Sequence, residues 1–332
     1  MSILQSGLKT KKLIFKNRLI FPPIATNFAD ENGLVTEKLL KHYEEKTQGG
    51  YISMAVTEHC FISQSGRAVD HQLSLATDET IKSVAELAKT IHKNGTMVTA
   101  QINHAGALGL LGERNAGPSV MNDAGCIRSG KKYIAGHELR AEEIQTIVAE
   151  FAESAIRAKK AGCDAVEIHS AHGYLLNEFY SKLSNCRTDA YGKDVQGRIR
   201  FHKEVIHAVR TSVGEDFPIL LRFGALDYVE GGSGLAEALE AANVFEEAGV
   251  DILDISGGLT GYSIKGHEGE QGYFREVAKA IKDVVSVPVI LTGGITDVEA
   301  AERLLEEDVA DLIGVGRAIL RDSQWAERAM TL

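Results

Sequence analysis

The chain has 332 residues, 44% of them hydrophobic and 25% charged, with a formal net charge of −10. That is the balance of a folded globular protein with core enough for one large α/β domain or two smaller ones, and it excludes disordered and fibrous classes. The carboxylate excess argues against nucleic acid as main partner, since phosphate backbones are bound by clustered Lys and Arg. No apolar leader opens the chain and no run of about 18 apolar residues occurs, so no membrane partner and a cytoplasmic location are expected. Cys60, Cys126, Cys163 and Cys186 are 66, 37 and 23 positions apart with no Cys-x-x-Cys pair. They read as reduced thiols, not as a disulfide framework or a zinc or iron–sulfur ligand set.

In chain order, Arg18 to Thr26 is an apolar run closed by Pro22 and Pro23, and Leu13 to Phe15 adds a small hairpin strand before it. A helical segment from Thr36 to Thr47, with Thr36 as its cap, precedes the run Ile52 to Val56. Helical Asp78 to Lys93, ended by Gly95, precedes Met97 to Ile102. Asn103 to Gly136 is glycine-rich, polar and aperiodic, a length of loop that is usually functional. From Ala141 the rhythm is regular: helix Glu142 to Ala161, strand Ala165 to His169, helix Gly197 to Val213, strand Ile219 to Phe223, helix Gly234 to Ala248, strand Ile252 to Ile255. Helix Phe274 to Val284, strand Val287 to Thr292, helix Val298 to Glu306 and strand Leu312 to Val315 complete it. Eight strands, each followed by a helix or a large insertion, favour a single (β/α)8 TIM barrel over a doubly wound sheet. No linker-like shift in composition divides the chain, so residues 1–332 are expected to form one domain.

Reactive groups of such barrels lie at the carboxyl ends of the strands. Strand Ala165 to His169 delivers His169 there, and His172 and Tyr174 follow within five residues. His-x-x-His is also a metal-pair spacing, but His59, His104 and Glu58 make no recognisable further ligand set. Neutral imidazoles bonding a substrate oxygen beside a phenol suit polarisation of a conjugated carbonyl better. Thr292-Gly-Gly-Ile295 and Gly314-Val-Gly-Arg-Ala318 end strands seven and eight, where glycines admit a phosphate and Arg317 adds a bidentate donor; the alternative is that tight turns need glycine whatever the ligand. Gln101 ends strand three. Arg222 interrupts an apolar strand, so it meets either an anionic or electron-rich ligand or a core carboxylate such as Glu167.

These stretches carry a resemblance over nearly the whole chain. His169-Ser-Ala-His-Gly-Tyr-Leu-Leu-Asn-Glu-Phe179, Ser184-Asn-Cys-Arg-Thr-Asp-Ala-Tyr-Gly192 with Arg198, Asn17-Arg-Leu-Ile-Phe-Pro-Pro-Ile-Ala-Thr26, Gln101-Ile-Asn-His-Ala-Gly106 and the two glycine loops together resemble the old yellow enzyme family of FMN-dependent NAD(P)H oxidoreductases. The resemblance implies a barrel holding FMN non-covalently across the strand ends, reduced by NADH or NADPH. Main chain around Pro23, Ile24 and Ala25 and near His59 would contact the isoalloxazine ring, Gln101 would bond its pyrimidine edge, and Arg222 would stabilise negative charge on the reduced ring. Gly293, Gly294, Gly316 and Arg317 would hold the phosphate. His169 and His172 would bind the carbonyl or nitro oxygen of an α,β-unsaturated acceptor, flavin N5 would give hydride to its β-carbon, and Tyr174 would protonate the α-carbon.

Several positions depart from the family pattern. Ala25 stands where many relatives have threonine or cysteine, His59 where a small residue is usual, and Gly197 where an asparagine often precedes the arginine. Pro22 to Gly33 is similar to the branch containing 2,4-dienoyl-CoA reductase and trimethylamine dehydrogenase. The chain ends at Leu332, about where that branch's iron–sulfur region begins, and lacks its cysteines, so FMN alone is expected. A dehydrogenase or demethylase of an amine or ring substrate is a second reading, and a non-catalytic flavin-binding redox partner a third. A small-molecule electron acceptor is the expected partner; its identity, the NADH or NADPH preference and whether the chain forms a homo-oligomer stay open.

Overall fold

The short apolar runs pair into one parallel sheet that closes on itself. A computed structural model describes residues 2–120, 127–128, 131–132 and 135–331. Its barrel strands are Leu19–Phe21, Met54–Val56, Met97–Asn103, Ala165–Ser170, Ile219–Leu226, Ile252–Gly257, Val289–Thr292 and Leu312–Gly314. Each lies parallel to the next, and the eighth returns to the first through Ile313 beside Leu19. Helices lie between the strands, so both strand faces are covered and the runs are continuously apolar instead of alternating.

The period of two nevertheless sorts the side chains. Leu19, Phe21, Ile219, Leu221, Leu253, Val289, Leu291 and Ile313 pack outward in the main core with the helices. Ile20, Met54, Ala165, Leu220, Ile252, Ile290 and Leu312 form a separate cluster inside the barrel. Leu13 and Phe15 join that inner cluster from an antiparallel hairpin, Leu8–Lys9 with Ile14–Phe15, which plugs the amino-terminal end. Two residues further along the same inward faces come Gln101, Glu167, Arg222, Asp254 and Thr292, so the interior turns polar one tier above the apolar floor.

Some elements differ from expectation. Helix Leu175–Tyr180 gives no amphipathic period because all six of its residues are buried, Asn177 and Glu178 included. The helix expected from Gly197 is two, Val195–Arg198 capped by the Asp194 side chain and Arg200–Val213, divided at Ile199. Two short helices, Arg317–Arg321 and Trp325–Thr331, follow the last strand. Thr36 caps its helix as expected, accepting the Leu39 N–H at 3.3 Å, and Gly95 closes the next one with φ +64°. Within the long loop, Ala116–Gly117 pairs with His137–Glu138 and Ile127–Arg128 with Lys131–Lys132; its remaining middle part, including Cys126, lies outside the described residues. Cys60, Cys163 and Cys186 are free thiols. Among the described residues no helix is long and apolar enough to cross a membrane.

Candidate active site

At the carboxyl ends of the strands the structure opens a cavity of about 370 Å³, and every residue assigned to the site from sequence lines it. The segment after the first strand brings Pro23, Ile24 and Ala25; the second and third strand ends bring His59 and Gln101. His169, His172 and Tyr174 come from the fourth, Arg222 from the fifth, Gly293 and Gly294 from the seventh, and Gly316 and Arg317 from the eighth. Among the described residues no group of three or more His, Cys, Asp or Glu side chains is arranged to hold a metal ion.

The imidazole and phenol cluster is built by a sharp turn. His172 and Gly173 both have left-handed backbone, φ +62° and +74°, a conformation that is rare for a non-glycine residue. The turn is held by the His172 N–H on the Gly257 carbonyl at 3.1 Å and by the Gly173 N–H on Asn177 Oδ1 at 2.8 Å. His169 thereby stands edge-on to both His172 and Tyr174, with ring centroids 5.0 Å apart in each case. The Ala171 N–H donates to His169 Nδ1 at 3.2 Å, which makes that nitrogen an acceptor and leaves the neutral ring's proton on Nε2. His172 Nε2 is 2.7 Å from Ser256 Oγ.

Below the cluster lies the polar tier. Gln101 Nε2 donates to Glu167 Oε1 at 2.7 Å, and Thr292 Oγ1 to Asp254 Oδ1 at 3.1 Å. Arg222 Nη1 is 3.4 Å from Asp254 Oδ2, an ionic contact without hydrogen-bond geometry. Glu167, the example of a core carboxylate for the alternative reading of Arg222, hydrogen-bonds Gln101; the register sets Asp254 directly opposite Arg222 and Glu167 opposite Gln101. Burial, reinforced by the charge of Asp254, raises the Glu167 carboxyl above its ordinary range, with Arg222 and Gln101 opposing. Burial also raises Asp254, against Arg222 and Thr292.

The phosphate-type loops are close-packed. A Cβ on Gly294 (φ +71°) would lie 2.4 Å from the Glu270 carbonyl oxygen and 2.6 Å from the Tyr273 ring. Arg317 Nη2 donates to the Tyr273 hydroxyl at 3.1 Å, and that hydroxyl donates to the Tyr262 carbonyl at 2.6 Å. Glu58 grips the segment after the first strand by accepting both the backbone N–H and the hydroxyl of Thr26. Burial pushes its carboxyl up to about 7, the Thr26 bonds opposing.

The lining residues that sequence reading did not single out include Ser256, Tyr262, Tyr273 and Thr296. Ser256 was legible two places after Asp254 on the inward face of one strand, whereas Tyr262 and Tyr273 come from loop geometry without a period.

The cavity fits a flavin mononucleotide. Arg222 keeps two buried guanidinium nitrogens, Nε and Nη1, without a hydrogen-bond partner, which is what an electron-rich ring edge in the cavity would satisfy. Arg317 and the glycine turns line the same cavity with a guanidinium and uncovered backbone, which would suit a phosphate.

The family model described as NADH:flavin oxidoreductase / NADH oxidase family matches residues 5–331. The chain is 36% identical over 322 residues to an NADH oxidase of Thermoanaerobacter brockii, covering 96% of this chain and 49% of that protein. It is 36% identical over 315 residues to an NADPH dehydrogenase of Clostridium acetobutylicum, covering 94% of this chain and 90% of the relative. Among solved structures, a 2-naphthoyl-CoA reductase complex superposes with TM-score 0.91 at 25% identity, over 98% of this chain and 52% of the other. The old yellow enzyme homologue from Zymomonas mobilis does so with TM-score 0.83 at 23% identity, over 98% and 91%, which shows the shared barrel. The chain thus spans about half the length of the Thermoanaerobacter relative and of the naphthoyl-CoA reductase. Matched over nearly its whole length, the chain belongs to the NADH:flavin oxidoreductase / NADH oxidase family, the FMN-dependent NAD(P)H oxidoreductases of old yellow enzyme type.

Proposed function

We infer that this chain, as one FMN-binding barrel, uses NADH or NADPH to reduce the activated C=C bond of an α,β-unsaturated carbonyl or related small-molecule acceptor. The observation that carries the reading is the convergence of His169, His172 and Tyr174 in the cavity whose floor presents the incompletely bonded Arg222. Bound FMN supplies the two-electron chemistry that none of the side chains can perform. Arg222 offers positive charge and two N–H groups to the reduced ring, and Gln101 meets the ring's polar edge. Main chain at Pro23, Ile24, Ala25 and His59 walls the ring, while Gly293, Gly294, Gly316 and Arg317 hold the phosphate.

The protein's part in the acceptor step follows from hydrogen-bond directions. His169 has its proton on Nε2, since Nδ1 accepts from the chain, so it is a donor for an acceptor oxygen. His172 is braced by Ser256 to act beside it. Donation to that oxygen draws electron density from the conjugated double bond, and Tyr174 supplies the proton to the α-carbon. Positioning and proton delivery are thus the chain's contribution.

Tyr174→Phe tests this. Reoxidation of the reduced flavin by cyclohexenone, followed anaerobically by stopped flow, should slow by about 100-fold or more, the scale of general-acid catalysis. Reduction of the flavin by nicotinamide should stay near the native rate. An unchanged reoxidation rate would remove Tyr174 as proton donor, and a protein unable to take up FMN would overturn the whole reading.

A further inference from the structure

His59 adds a third imidazole to the pocket, and its environment specifies where its proton is. Gln72 Oε1 accepts the Ala68 N–H at 2.7 Å. That bond orients the amide, so the group facing His59 is Nε2, 3.1 Å from the His59 carbonyl oxygen and 2.9 Å from its ring Nδ1. Asn103 Nδ2 approaches the same Nδ1 at 3.1 Å. A ring nitrogen facing two amide donors must offer its lone pair, so the neutral imidazole carries its proton on Nε2. Gln72 and Asn103 are buried, 2% and 0% exposed, and a small side chain at position 59 would take from both amides the acceptor they share at Nδ1, leaving Gln72 only the backbone carbonyl.

The locked ring lies against Tyr174, with centroids 5.2 Å apart and planes tilted by 36°, and 6.1 Å from His169. We propose that His59 is a positioning residue for Tyr174: it donates its Nε2–H to the phenol oxygen and so turns the phenol's own proton toward the acceptor. The inference rests on Tyr174 as proton donor. In the transfer the phenol O–H bond breaks and a C–H bond forms at the α-carbon, using the pair displaced from the C=C π bond when hydride, with its own pair, bonds to the β-carbon. The oxygen keeps the O–H electron pair, and the Nε2–H stays on His59 as a hydrogen bond to that anion until solvent returns a proton. Gln72 and Asn103 stop the ring from presenting its lone pair to the phenol instead, which would pull the phenol proton away from the acceptor.

Two measurements on the FMN-loaded protein test this. Nitrogen-15 NMR, with the His59 signal assigned by its loss in His59→Leu, should show protonated Nε2 and unprotonated Nδ1, and Gln72→Leu should give a mixture of tautomers. A proton on Nδ1 in the native protein would overturn the lock without touching the assignment of Tyr174. Kinetically, His59→Leu should slow flavin reoxidation by cyclohexenone roughly 10- to 100-fold, the usual scale for lost orientation. His59→Gln, which keeps an N–H donor, should recover most of it. In a Tyr174→Phe background His59→Leu should have no further effect. An equal loss in both backgrounds, or Leu and Gln behaving alike, would overturn the positioning role; native reoxidation in Tyr174→Phe alone would instead sink the proton-donor assignment on which it rests.

Discussion

Gly294 shows how little room the cavity wall after the seventh strand leaves. Its φ of +71° is natural for glycine, and a methyl group there would press on the Glu270 carbonyl and on Tyr273, the residue that holds Arg317. Gly294→Ala should therefore displace Arg317 and weaken FMN retention by roughly tenfold, read by fluorescence titration of the stripped protein, with about 1–3 kcal/mol of strain in the fold. The glycines were legible as a motif. What the motif could not show is that Gly294 is held as glycine by protein atoms, the Glu270 carbonyl and the Tyr273 ring, while it also lines the cavity. Arg222 makes the same point. An arginine in an apolar strand announces a functional or paired charge, yet Glu167 and Asp254 are equally conspicuous acids in apolar strands, and only strand register selects between them.

At the scale of elements, the segment after the first strand is held by Glu58 through Thr26. Burial raises this carboxyl to about 7 from an ordinary 4.5, so its protonated form belongs to the folded state. Below about pH 4.5 the group is protonated folded or unfolded, and its contribution is fully present. As pH climbs toward 7 the unfolded chain releases its proton first, stability falls, and above that pH the contribution is gone. Native protein should accordingly lose stability between about pH 5 and 8 by as much as 3 kcal/mol more than Glu58→Gln, measured as Tm against pH for both. Equal slopes would show that Glu58 is ionised throughout. Helix Leu175–Tyr180 is among the elements that sequence reading missed, because periodicity detects a helix through its solvent face and this one has none.

Across the whole molecule the barrel interior is divided into an apolar floor and a polar tier, and the two ends have different tasks. The hairpin Leu8–Lys9 with Ile14–Phe15 seals the floor, and Lys12 reaches Asp251 at 2.8 Å to tie it down. Phe15 is 1% exposed within the inner cluster. Phe15→Ala should destabilise the fold by about 3–5 kcal/mol in denaturant unfolding, the range for a truncated core aromatic. FMN binding at the opposite end should persist at temperatures where the variant is folded. Loss of FMN affinity in folded Phe15→Ala protein would mean that the floor and the site are mechanically coupled.

Sequence alone determined the barrel and named many of the residues that line its cavity, because a strand buried on both faces writes its length as an apolar run and places its polar residues at its end. His169, Tyr174, Arg222 and Arg317 could be named from that rule and from the family resemblance. Tertiary structure decided which atoms meet: Asp254 beside Arg222, Glu167 beside Gln101, Ser256 behind His172, and Gln72 with Asn103 behind His59. These pairings depend on register between strands and on loops that return from tens of residues away. A proton's position on an imidazole is set by such neighbours, not by the residue's own place in the chain.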